Sequence, residues 1–149
     1  MVKNLRNSAI RCLGVCIALL FVTDNIFSQE SAADLFGKGE EYYKKEMYNE
    51  AIAKFTLALK MNPENKSDVY IRRGNAYANI YDLEQAISDY NKAIMLNPQN
   101  AEAYVARGKS YSKLDKFEQA ISDYNKAIMF NPQFASAYAS RGLVYSHLE

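Results

Sequence analysis

The residue types that most often carry catalysis or bind metals are scarce in this chain. His147 is its one histidine, and Cys12 and Cys16 are its two cysteines. Both cysteines lie within the first 28 residues, so the remainder has no thiolate to join His147 in a transition-metal site. Counting residues does not exclude a Ser/His/Asp arrangement, but the Gly-x-Ser-x-Gly turn that marks one class of serine nucleophile does not occur. No glycine-rich loop is present to cradle a phosphate. The carboxylates are spread along the chain, a distribution that suits solvation and ion pairing. These residues predict no enzyme, no cofactor and no metal.

One charged arrangement is regular. Arg73, Arg107 and Arg141 recur at intervals of 34, and Asp89 and Asp123 follow the first two by 16. Two chemistries fit: a row that binds anions, or ion pairs of Arg73 with Asp89 and Arg107 with Asp123. The pairing is favoured, because partner and period match. Such a pair contributes about 0–1 kcal/mol if exposed. The first unit breaks the pattern with Lys38 and Lys54.

These residues belong to a longer repeat, which supplies the elements that position them. Glu84 to Met95 reads EQAISDYNKAIM, and Glu118 to Met129 repeats it 34 residues later. Gly74, Gly108 and Gly142 keep the same interval. Gly39 precedes Gly74 by 35, with Lys66 as a spare residue in the linker. Leu35, Tyr70, Tyr104 and Tyr138 lie four before these glycines, and Tyr42, Tyr77, Tyr111 and Tyr145 three after. Ala51, Ala86 and Ala120 recur, as do Phe55, Tyr90 and Tyr124, then Ala58, Ala93 and Ala127, and finally Pro63, Pro98 and Pro132.

Apolar residues at i, i+3 and i+4 predict helices with one buried stripe. Glycine lets two helices approach, at a cost of about 1 kcal/mol in helix propensity. Ala86 and Ala120 are the expected small partners. Asn97-Pro98 ends a helix, because the residue before proline avoids the α region. The expected helices are Ala32–Lys45, Asn49–Met61, Asp68–Tyr81, Leu83–Leu96, Glu102–Leu114 and Phe117–Phe130, with a last one from Ala135 towards Leu148. Ser31 to Asp34 reads as a capping signal for the first.

This pattern resembles the tetratricopeptide repeat (TPR), a helix–turn–helix unit of about 34 residues. The match covers residues 32–65, 67–100 and 101–134, with a partial unit at 135–149, inside a domain spanning 29–149. The chain departs from the family in having Leu35 for an early aromatic and Lys38, Arg73, Arg107 and Arg141 for a leucine. The resemblance implies an all-α fold: a right-handed superhelical solenoid of antiparallel helix pairs, about three full units plus one extra helix. Single units cannot bury their apolar faces, so neighbours must stack.

The first 28 residues have another character. Lys3, Arg6 and Arg11 precede an apolar run, Cys12 to Val22, and a short segment ending at Ser28 follows. This order predicts a secretory signal peptide over 1–28. The run is about half the roughly 20 residues that span a bilayer. The expectation is an exported protein, periplasmic or extracellular; the alternative is a signal anchor that tethers the chain to the membrane by this segment. Leu13 to Cys16 has the outline of a lipoprotein box, but valine precedes the cysteine and the apolar run continues past it.

The chain has 18 basic and 17 acidic residues, and residues 29–149 keep 15 and 16 of them. Near-neutral charge offers no electrostatic case for nucleic acid or an anionic membrane surface. Nine of the 12 tyrosines fill repeat positions and are expected in the core, which argues against a base-stacking surface. At the C-terminus Tyr138, Gly142 and Tyr145 are unmodified repeat residues that would pack on a second helix, so the expectation is a piece of a longer array, the alternative being a last helix that serves as a makeshift cap.

TPR arrays usually bind proteins, commonly a peptide or helix along the concave face lined by first helices. The family's register places Phe36, Glu40 and Tyr43, then Ile71, Asn75 and Asn79, then Val105, Lys109 and Lys113 on that face, followed by Ala139 and Leu143. The implied function is a non-enzymatic interaction module or scaffold. It would hold an unidentified peptide or partner protein by an apolar line, Phe36, Ile71 and Val105, beside polar groups. Ile71→Asp with Val105→Asp should then abolish capture and spare helicity. One subfamily clamps the acidic tails of heat-shock chaperones with lysine, asparagine and arginine. The corresponding places here hold Phe36, Glu40, Arg72 or Asn75, Glu102 and Ala106, so chaperone binding is not expected. The alternative is a structural assembly protein that self-associates through its open C-terminal repeat end.

Overall fold

A computed structural model describes residues 30–148. The chain divides into Met1–Glu30 and Ser31–Glu149. The expected leader, residues 1–28, lies outside the described residues, and the second unit alone is considered below.

Among the described residues seven helices follow one another: α1 (Ala32–Lys44), α2 (Tyr48–Lys60), α3 (Lys66–Asn79), α4 (Leu83–Leu96), α5 (Ala101–Lys113), α6 (Phe117–Phe130) and α7 (Ala135–Tyr145). No strand occurs among the described residues. Helices α1 and α2, α3 and α4, and α5 and α6 form antiparallel pairs that stack in order, with α7 on α6; the first helices also touch along the stack. This is the all-α solenoid that the period implies.

Local chemistry sets most helix ends. The Ser31 hydroxyl accepts from the Asp34 amide at 3.1 Å while Asp34 accepts from the Ser31 amide at 3.0 Å, a reciprocal capping box. Asp82 and Asn100 accept from Gln85 and Ala103 at the starts of α4 and α5. Each first helix closes by the same turn. The amides of Met47, Asp82 and Lys116 donate to the carbonyls of Tyr42, Tyr77 and Tyr111 at 2.9–3.0 Å. Glu46, Tyr81 and Asp115 take the left-handed position of that turn, with φ of 59°, 62° and 55°.

The extra residue between the first two units is not in a linker as expected: Lys66 begins α3. The loop before it turns at Asn62, whose φ is 56°, whereas its counterpart Asn97 is extended at −136°. The second helices α4 and α6 fall on the expected bounds, and the others shift by one or two residues, apart from α7, which ends at Tyr145.

The glycines bring the helices of each pair together, but their partner is a ring rather than the expected alanine. A Cβ on Gly74 would lie 2.7 Å from Cε1 of Tyr90, and one on Gly108 would lie 2.7 Å from Cε1 of Tyr124. Gly39 faces Phe55 in the same way. Ala86, Ala93, Ala120 and Ala127 are fully buried beside those rings.

Tyr90, Tyr104 and Tyr124 are core residues, and Tyr42, Tyr70, Tyr77 and Tyr111 are half-buried. Tyr138 and Tyr145 are exposed, contrary to the expected core role, because no helix covers that side of α7 among the described residues.

The arginine ladder is structural at two rungs. Arg73 donates from Nε and Nη2 to both carboxylate oxygens of Asp89 at 2.7 and 2.8 Å. Arg107 grips Asp123 likewise at 2.8 and 2.7 Å. The third nitrogen, Nη1, reaches the preceding unit: Thr56 from Arg73 and Asn91 from Arg107. Each arginine thus ties three helices. These are the pairs expected from the spacing, and because the aspartate side chains are only 3% and 4% exposed, the small value of an exposed pair does not apply. In a dry setting, losing one partner costs several kcal/mol because the other charge stays buried.

Candidate functional site

Residues four apart on a helix share a face, and the first helices bring such sets together. Asn75 and Asn79 stand one turn apart on α3. Val105, Lys109 and Lys113 form one row on α5, and Glu102, Ala106 and Ser110 form the next. With Tyr43 of α1, Ala78 of α3, Tyr90 of α4, and Phe134 and Ser136 at the start of α7, they line a cavity of about 390 Å³ on the first-helix side. A neighbouring depression of about 320 Å³ is lined by Phe36, Asn65, Asp68, Ile71, Arg72 and Glu102.

The structure therefore gathers six of the nine expected site residues, Tyr43, Asn75, Asn79, Val105, Lys109 and Lys113, around one cavity. Phe36 and Ile71 line the second. Glu40 lines neither and pairs with Arg72, Oε1 to Nε at 3.6 Å. Of the outer pair, Ala139 and Leu143 are exposed on α7.

The apolar line is mostly core. Ile71 is 2% exposed and packs with Ala93 and Ala103; Val105 is 4% exposed and packs within the cluster around Tyr124. Aspartate at either position would bury a charge rather than roughen a surface. Those two substitutions should therefore destabilise the fold, and they do not isolate the groove. Burial follows from stacking: α3 and α5 are each flanked by units on both sides, so Ile71 and Val105 point between neighbours.

The polar side chains are held in defined orientations. The Tyr90 hydroxyl donates to Oδ1 of Asn75 at 2.8 Å. Burial raises the Tyr90 phenol far above its usual range, and the nearby Tyr43, Asp89 and Glu102 add to the effect. Tyr90 stays a donor, so Asn75 must turn its oxygen inward and its Nδ2 outward. That Nδ2 has no acceptor among the described residues.

Asn79 is turned the other way. Its Nδ2 donates to the Tyr43 hydroxyl and to the Asn75 carbonyl, both at 2.9 Å, which leaves Oδ1 facing out. Burial raises the Tyr43 phenol too, with the Asn79 bond opposing it. One helical turn thus presents a free donor and a free acceptor.

The charges are asymmetric. Lys109 has no ion-pair partner among the described residues, and Lys113 lies over the Tyr81 ring at 4.9 Å. Glu102 stands between the two cavities. Among the described residues no cluster of His, Cys, Asp or Glu could hold a metal.

Glu102, Ser110 and Ser136 were absent from the expected set, although the spacing of Glu102 and Ser110 beside the lysine row could have found them. Tyr90 carried no such signal. It sits on a second helix at a core position, and only the tertiary approach brings its hydroxyl through to the groove.

The sequence matches the family described as TPR repeat over residues 74–115, and the description Tetratricopeptide repeat over 32–65 and 101–134. No curated protein matches it. Among solved structures, the first TPR domain of the human RPAP3 protein is 30% identical with a TM-score of 0.75, covering 78% of this chain and 91% of that one. The first TPR of Spaghetti (RPAP3), bound to HSP90 peptide SRMEEVD, is 29% identical with a TM-score of 0.75, covering 81% of this chain and 95% of that one. The Arabidopsis OM64 TPR domain is 26% identical with a TM-score of 0.75, covering 78% and 96%.

Proposed function

The chain belongs to the tetratricopeptide repeat family, and from that premise we propose a non-enzymatic interaction module that holds an extended peptide segment of a partner protein on its first-helix face. The observation that carries the reading is the opposed orientation of Asn75 and Asn79, a free donor and a free acceptor one turn apart. An extended chain offers an N–H and a C=O on one side at every second residue, about 6.6 Å apart. That repeat is close to the spacing of i, i+4 side chains. Main-chain bonds of this kind supply affinity, and side chains in flanking pockets supply specificity.

Lys109 and Lys113 select acidic side chains at one end of the segment, and Glu102 selects a basic or neutral group at the other. A TPR domain similar to this one binds an acidic HSP90 peptide. By the family's register, Glu102 stands here where that class of ligand calls for a cation and Glu40 where it calls for an asparagine, so the favoured segment differs in its charge pattern.

The full chain, immobilised, would be panned against a random peptide library displayed on phage. Peptides with acidic residues grouped at one end should be enriched, and lost on the Lys109→Glu/Lys113→Glu variant with its circular dichroism unchanged. Asn79→Leu should weaken capture of all of them. No enrichment, or the same peptides on the variant, overturns the reading.

Export of the repeat domain, with residues 1–28 removed, is part of the same proposal. It is supported by the basic, apolar, small-residue order of that segment and by the confinement of both cysteines to it. Mass spectrometry of the protein from its source cells tests it, since a retained Met1 contradicts cleavage.

A further inference from the structure

The turn that closes α3 carries an unusual residue. Tyr81 takes its left-handed position, with φ of 62°, where the turns after α1 and α5 have Glu46 and Asp115. Asparagine and aspartate tolerate this region, whereas a bulky side chain there is an outlier. Such strain persists where the surroundings or a function hold it. Burial does not offset it, because Tyr81 is 76% exposed. The contact that the ring makes is with Lys113, the last residue of α5 in the next unit, whose Nζ lies 4.9 Å from the ring centroid. Lys113 lines the groove cavity together with Asn79, two residues before Tyr81.

The side chain at this position decides whether Lys113 can act on a ligand. A carboxylate, as in the turns of Glu46 and Asp115, would pair with the ammonium and cancel its charge. An aromatic ring attracts the cation through its quadrupole and adds no net charge. Lys113 is exposed and has no carboxylate partner among the described residues, so its charge stays available to the groove. The ring also orders a flexible four-carbon stem before any ligand arrives, which lowers the entropic cost of engaging it.

We infer that Tyr81 is a positioning residue for recognition: it holds the Lys113 ammonium at the edge of the groove without neutralising it, so that this end takes a carboxylate side chain of the bound segment. The inference rests on the peptide-binding function proposed above and adds the residue on which its acidic preference depends. The turn accepts an acidic residue in two other units, so the tyrosine answers to Lys113 and not to the fold.

Two measurements on the full chain test it. In proton–carbon NMR the Lys113 ε-protons should show an upfield ring-current shift that Tyr81→Phe keeps and Tyr81→Leu removes. Panning of the random phage library on the Tyr81 variants then reads selection. Tyr81→Phe should enrich the same acidic peptides as the wild type. Tyr81→Glu, which places in this turn the residue type of the first unit, should lose that enrichment about tenfold with its circular dichroism unchanged. Tyr81→Gly should weaken it about threefold while leaving the urea midpoint at or above that of the wild type, since glycine adopts the left-handed region without strain. Lost selection in a fold that is no weaker separates a role in recognition from a structural one. Absence of the ring-current shift, loss of selection with Tyr81→Phe, or a lower midpoint for Tyr81→Gly overturns the inference. Acidic peptides enriched equally by the wild type and Tyr81→Glu, but lost on Lys109→Glu/Lys113→Glu, overturn it and leave the groove function standing. No enrichment on the wild type overturns both.

Discussion

Alanine in place of Gly108 and in place of Gly142 should move stability in opposite directions, although the two glycines hold the same place in the repeat. The shared gain is helix propensity, about 1 kcal/mol for alanine over glycine inside a helix. At Gly108 the added methyl would lie 2.7, 3.1 and 3.2 Å from Cε1, Cδ1 and Cζ of Tyr124. That ring is 1% exposed and flanked by fully buried Ala120 and Ala127, so it has no direction in which to give. Overpacking of this kind costs about 1–3 kcal/mol. A 2.7 Å contact with a ring that cannot give belongs in the upper part of that range, about 2–3 kcal/mol, so the net expectation for Gly108→Ala is a loss of about 1–2 kcal/mol, or roughly 3–6 °C in melting temperature per kcal/mol for a unit of this size.

At Gly142 the methyl meets nothing within 4 Å, and the expectation is a gain of up to about 1 kcal/mol. Urea and thermal unfolding followed by far-ultraviolet circular dichroism would measure both. The double variant Gly108→Ala/Tyr124→Leu should be more stable than the sum of its parts predicts, because the clash is with the ring itself. A neutral or stabilising Gly108→Ala would refute the packing argument. A destabilising Gly142→Ala would show that another surface already covers α7.

Three further expectations follow from the same contacts. Arg107→Met should cost about 3–5 kcal/mol by stranding Asp123, while Arg107→Met/Asp123→Leu should recover much of it, as measured in a double-mutant cycle. Burial pushes the Tyr124 phenol up to about 12, with a bond to Ser140 opposing it, so stability should fall as pH rises from about 10 to 12. In that window the unfolded state releases the proton and the folded state keeps it. Tyr124→Phe should flatten the fall in the urea midpoint. Asp115→Gly should stabilise the chain by about 0.5–1 kcal/mol in urea unfolding, because Asp115 holds φ at 55° in a turn that glycine adopts without strain.

The arginine contacts also bear on how the groove keeps its shape. Arg73 joins α3 to α4 and, through Thr56, to α2 of the preceding unit. The relative positions of successive first helices are thus held from behind, on the side away from the cavity. Weakening a rung should loosen the groove as well as the core. The glycine and arginine experiments should therefore be run before any binding result is assigned to a groove residue.

Elements and pairings were legible wherever the information is local or periodic. The recurrence of Glu84–Met95 at Glu118–Met129 is enough to place α4 and α6, because a helix is written in its own residues and its ends by the caps and prolines beside them. Arg73 with Asp89 and Arg107 with Asp123 could be paired from their spacing, since a fixed period puts equivalent residues in equivalent places. The absence of a conventional catalytic set was equally open to inspection.

Only the tertiary structure decided which side of a first helix is surface. Ile71 and Val105 looked like groove residues, but their helices, α3 and α5, are each enclosed by two neighbouring units, and stacking drew both into the core. The place of Lys66 in α3 was likewise beyond the sequence, because a left-handed residue at Asn62 takes up the extra length. The groove's hydrogen-bonding groups depended on it most of all. Asn75 and Asn79 are chemically alike, and what sets one as donor and the other as acceptor is contact with Tyr90 and Tyr43, residues 15 and 36 positions away. No local pattern encodes a partner at those distances; the packing of α1, α3 and α4 brings it there.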